Sequence, residues 1–104
     1  MNDPCFELGN VAVEGRLTPD QVEALCETYF QARRPVQVAR ARLFGIVAQF
    51  TWTLLFAAAD QIVQPKPDPD FDYWQESLVR WAVALPELES PGLGALLDQA
   101  QRDE

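Results

Sequence analysis

Three carboxylates alternate in the run Asp68-Pro69-Asp70-Phe71-Asp72. Alternating acids open calcium loops of the EF-hand type, which also need glycine at the sixth position and a bidentate glutamate at the twelfth. Counted from Asp68, those positions are Tyr73 and Val79. The calcium reading fails, and the acids read as a helix start, where negative charge suits the helix dipole. The chain has no histidine. That removes Ser-His and Cys-His nucleophile pairs and the usual general base near neutral pH. Gly92-Leu93-Gly94 is not followed by the Gly-Lys-Ser/Thr of a phosphate loop. Cys5 and Cys26 match no zinc or redox spacing. No catalytic and no metal residue is assigned. Two free thiols and the lack of a signal-peptide pattern imply a reducing, cytoplasmic setting.

A second group of residues could bind without reacting. Trp52, Trp74, Trp81, Tyr73, Phe50, Phe56 and Phe71 crowd two consecutive predicted helices. Core packing accounts for most of them. Ring faces that converge beside a carboxylate also make a cage for a quaternary ammonium or other cation.

The elements that must position these groups are helices. Residues 43–59 carry no charge. At about 100° per residue, Leu43, Val47, Phe50, Leu54 and Ala58 share one face, with Trp52, Leu55, Phe56 and Ala59 roughly opposite. A helix apolar all round is expected to be buried. Spanning a bilayer takes about 20 apolar residues. This shorter run includes Gln49, Thr51 and Thr53, and Asp60 follows at once, so a core helix is expected and no membrane. Gly45 would permit close approach of a neighbour. Upstream, Asp3-Pro4 suits the start of a short helix. Thr18-Pro19-Asp20-Gln21 is a capping box, followed by Val22, Leu25, Cys26, Tyr29 and Phe30 on one stripe. Pro35 stops that helix or starts the next.

Residues 64–70 form a Pro-rich linker, with Asp70 able to cap an aromatic helix that ends before Pro86. Residues 87–90 are expected as a loop, Ser90-Pro91 opens a last helix, and residues 99–104 should fray. The expectation is one all-α domain over residues 1–104, a small bundle of four to five helices. The net charge is −8, and an acidic chain is a poor nucleic-acid binder. Arg33, Arg34, Arg40 and Arg42 form one short basic cluster, either a solvated helix start or a patch for an acidic partner.

The opening stretch, MNDPCFELGN, resembles a segment of the aminoglycoside phosphotransferase / choline kinase superfamily that directly follows its Asp-x-Glu metal motif. The continuations LTPDQVEALCETYF, ARARLFGIVAQFTWTLLFAAADQIV and FDYWQESLVRW resemble the bacterial choline-kinase-like branch, and residues 1–82 are covered. The resemblance implies the C-terminal helical subdomain of a protein-kinase-like fold. That family transfers the ATP γ-phosphate to a hydroxyl with Mg2+; its HxDxxxxN loop and metal motif are not in these 104 residues. The resemblance therefore implies a truncated phosphotransferase, with Met1 internal to a longer kinase or the start of a subdomain, inactive alone. ATP and Mg2+ are implied for a full-length relative only. By the same resemblance, Glu14 matches an acidic position near the substrate ammonium, and Trp52 matches the first Trp of a Trp-x-x-Trp pair. Leu55 stands at the second Trp position, and a third aromatic position aligns near Glu76. The implied ligand is a small cationic hydroxyl compound such as choline or an aminoglycoside. A homodimer is expected where apolar surface stays uncovered.

Overall fold

Local signals start the helices. Asp3 accepts the Cys5 amide at 2.9 Å, and Pro4 occupies the first turn of α1 (Pro4–Glu14). Thr18 and Gln21 close the capping box reciprocally, at 3.3 and 2.9 Å, and open α2 (Pro19–Phe30). Pro35 starts α3 (Pro35–Ile62), where a missing amide costs nothing at a first position. Asp72 accepts the Gln75 amide at 2.9 Å and caps α4 (Tyr73–Glu89). A turn at Pro91 and Gly92 leads into α5 (Leu93–Ala100). The computed structural model describes residues 3–66 and 68–102, with no strand among them. The protein is all-α, with 77% of the described residues helical.

The bundle is built along α3. Helices α1, α4 and α5 lie against it, and α2 packs on α1 and the start of α3. The core joins Cys5, Leu8 and Ala12 of α1, Val22 and Cys26 of α2, and Ala41 of α3. At the α1–α3 crossing, a Cβ on Gly9 would lie 2.8 Å from the Ala41 carbonyl oxygen, the Gly45 amide nitrogen and the Phe44 Cβ. A Cβ on Gly45 would meet nothing closer than the Gly9 oxygen at 3.5 Å. Close approach occurs where Gly45 suggested it, but Gly9 is the residue that permits it.

Several expectations are corrected. The central helix is not buried all round. Its buried residues are Val36, Ala39, Ala41, Gly45 and Ala48, because α1, α2 and α5 cover only the first half. Only 22% of its most apolar 18-residue window is buried, although α3 has the length and composition to cross a membrane. The radius of gyration is 15.5 Å, against about 13 Å for a compact domain of this size; the second half of α3 extends beyond the core.

Neither face of α3 is covered as a unit. Val47 and Leu54 face solvent, while Trp52 and Phe56 pack towards the linker and α4. Tyr29 is exposed, off the buried stripe of α2.

Helix α4 runs through Pro86 to Glu89 instead of stopping before it, so most of the expected loop at 87–90 is helical. The bond lost is to the Ala82 carbonyl, and both residues are exposed, so that carbonyl is not left buried without a partner. Asp72, not Asp70, caps α4, because the helix begins at Tyr73 and it is the Asp72 side chain that accepts the Gln75 amide; Asp68 accepts the Asp70 amide at 3.1 Å in the turn before it. Gln99 and Ala100 are helical, and Arg40 holds this end by donating to the Ala100 and Arg102 carbonyls at 2.8 and 3.4 Å. A cation at a helix C-terminus satisfies its open carbonyls. Pro67 of the linker and residues 103 and 104 of the expected frayed end lie outside the described residues.

Candidate functional site

Because α1 and α4 both pack on α3 while their backbones do not touch among the described residues, a groove of about 540 Å³ lies between them. Its floor is Ala41, Gly45, Ile46 and Gln49 of α3, and its walls include Val13, Leu17, Val79 and Val83. Glu14 and Arg80 lie on opposite walls.

Arg80 organises this end of the groove. Its Nε donates to Glu76 Oε1 at 3.0 Å, and one terminal nitrogen donates to Gln49 Oε1 at 3.4 Å. The same nitrogen lies 4.0 Å from Glu14 Oε1, linking α4 to α1 across the groove. The guanidinium carbon sits 5.8 Å from the Trp52 ring centroid and 5.7 Å from that of Phe56. Phe56 continues the ring set to Phe71 and Tyr73, at 5.7 and 6.3 Å. The Glu76 and Arg80 side chains are mostly buried and that of Glu14 mostly exposed, so Glu76 is the stronger electrostatic partner.

The two residues singled out as a binding pair, Glu14 and Trp52, are thus brought to one cation. That cation is the chain's own Arg80. Arg80 and Gln49 were not singled out as site residues in the sequence, and Phe56 was noted only as one of the crowded aromatics. The signals existed: Glu76 and Arg80 have the i,i+4 spacing of a helical ion pair, and Gln49 is a polar interruption in a charge-free run. Trp74 faces solvent, outside the cluster, and Trp81 pairs with Phe50 at 5.9 Å.

Two carboxylates, an amide oxygen and two ring faces can hold a cation. Burial, followed by the Asp3 charge, pushes the Cys5 thiol from 9.0 up to about 12, and burial also raises that of Cys26. Both are buried and free, so they are poor thiolate sources. The described residues bring together no group of three His, Cys, Asp or Glu side chains suited to a metal, so no Mg2+ chemistry is derived from them. No family model, no curated protein and no solved structure matches this chain.

Proposed function

We propose that this chain is the helical C-terminal portion of a choline-kinase-like or aminoglycoside-phosphotransferase-like protein, related to ATP-dependent phosphorylation of a hydroxyl on a small cation. What supports the reading, beyond the sequence resemblance, is the meeting of Glu14 and Trp52 from different helices at one guanidinium. Phosphoryl transfer needs a positioned base and metal ions. Those motifs are not in the 104 residues, so the chain by itself binds without turning over ATP. ATP and Mg2+ belong to a full-length relative in a cytoplasmic setting. Arg80 fills the position a substrate ammonium would take, and an incoming cation has to displace it or share its carboxylates.

Tryptophan fluorescence during titration with choline, then with an aminoglycoside, tests this. A saturable change at millimolar ligand, lost in Trp52→Ala, is expected. No response to either cation would sink the cage, and ATP turnover by the 104-residue chain would overturn its inactivity. Reading the DNA upstream of the Met1 codon separates the two forms of this reading: an in-frame HxDxxxxN followed by Asp-x-Glu makes Met1 internal to a full kinase, and a stop codon with an unrelated promoter favours a standalone module.

A second reading, compatible with the first, is a small helical self-associating module. The exposed apolar residues on the second half of α3 favour it, and sedimentation equilibrium separates a dimer from a monomer.

A further inference from the structure

The apolar surface left open on α3 forms one stripe. Val47, Leu54, Leu55 and Ile62 are 56, 55, 53 and 76% exposed, and Thr51 and Ala58 between them are exposed too. At about 100° per residue, the six positions share a sector of roughly 100°. No charged side chain occurs between Arg42 and Asp60.

The spacing of the stripe is palindromic. Its successive spacings are four, three, one, three and four residues, with aliphatic Val47 and Ile62 at the ends, Leu54 and Leu55 at the centre, and Thr51 and Ala58 between them. Reversed, the pattern lays Val47 on Ile62, Thr51 on Ala58, and Leu54 on Leu55. A two-fold interface requires that if one residue meets another across it, the second also meets the first. Antiparallel pairing of this stripe with itself meets that condition at all six positions. Thr51 then faces Ala58, and the aliphatic pairs fill the centre and both ends.

We infer that α3 pairs antiparallel with α3 of a second copy, about a two-fold axis between Leu54 and Leu55. This inference rests on the self-association reading and gives it a geometry. The stripe is roughly 22 Å long at 1.5 Å per residue. It exposes on the order of 500 Å² of apolar surface, in the upper range for a monomer. Two copies together bury roughly 1,000 Å², the lower bound for a specific interface. The absence of charge along the seam means that superposing two copies brings no like charges together there.

Sedimentation equilibrium of the full chain tests the pairing. The wild type is expected to dimerise, and Leu54→Lys to weaken the dimer at least about tenfold. Adding Leu55→Glu to Leu54→Lys restores the dimer, because an antiparallel seam sets each new charge against its opposite. A parallel seam sets like against like, and the double variant stays monomeric. Under mild oxidant, Val47→Cys and Ile62→Cys proteins cross-link when mixed and neither cross-links alone; the buried native thiols stay out of the reaction. A monomeric wild type overturns both this geometry and the self-association reading, as does a wild type that partitions onto phosphatidylcholine vesicles and does not dimerise. A wild-type dimer without charge rescue, in which Val47→Cys cross-links to itself, overturns the antiparallel seam alone.

Discussion

The Arg80 guanidinium lies 5.8 Å from the centre of the Trp52 ring, and this contact decides how the groove is read. An aromatic face beside carboxylates attracts a cation whether it comes from solvent or from the same chain. Here α4 delivers it, tied down by Glu76 on its own helix and by Gln49 on α3. The cluster is at once a structural clasp across α1, α3 and α4 and a site whose ligand competes with an internal arginine.

Arg80→Ala separates these roles. Removing the clasp costs about 1–2 kcal/mol, from the ring contact and a partly buried ion pair, measured by urea denaturation. If the cluster binds cations, choline affinity rises several-fold in the same variant, because the competitor is gone. Arg80→Lys keeps the charge but not the planar fork, so its choline affinity stays near that of the wild type. A loss of stability with no gain in choline or guanidinium binding would make the cluster purely structural.

Helix starts were legible because they depend on a few neighbouring residues. Thr18 and Gln21 act within one turn, and Asp3-Pro4 likewise. What was not legible depends on what lies across space. The charge-free run fixed α3 as a helix, but which side would be covered depended on where α1 and α4 land. The residue expected to allow close approach, Gly45, has room for a methyl group, and Gly9 does not. Glu14 and Trp52 were identified through the resemblance, whereas Arg80, which joins them, lies on a third helix with no sequence signal pointing across the groove.

The glycine contrast is open to a direct test. Gly9→Ala puts a methyl group against two backbone atoms of α3 at 2.8 Å. Overpacking of this kind costs about 1–3 kcal/mol. Gly45→Ala makes ordinary contacts and gains up to about 1 kcal/mol of helix propensity. Thermal unfolding of the two variants should move in opposite directions. Equal destabilisation would mean that the α1–α3 crossing is placed differently.

Thr18→Ala removes one half of the capping box that opens α2. A lost N-cap costs about 1 kcal/mol. Because Val22 and Cys26 of α2 are core residues, the loss is expected in global unfolding and not only in local helicity. Thr18→Ser retains the acceptor and should unfold with the wild type; if Thr18→Ala does so as well, α2 is held by packing alone.

The Cys5 thiol supplies a pH test whose sign follows from its environment. Its Sγ donates to Gln37 Oε1 at 3.0 Å inside the core, and burial together with Asp3 favours the protonated form, so its pKa rises from 9.0 to about 12. Above pH 9 the unfolded chain loses this proton while the folded chain keeps it. Folding stability is therefore intact below 9 and falls as pH rises from 9 towards 12. Tyrosine and lysine also titrate in this range, so the measurement is the difference between wild type and Cys5→Ala. The variant starts less stable, having lost a buried side chain, and its unfolding midpoint declines less steeply above pH 9. Its remaining slope includes Cys26, whose pKa is raised by burial alone. Parallel curves for the two proteins would show that the Cys5 thiol ionises as readily in the folded chain as in the unfolded one, which a group buried against Asp3 should not do.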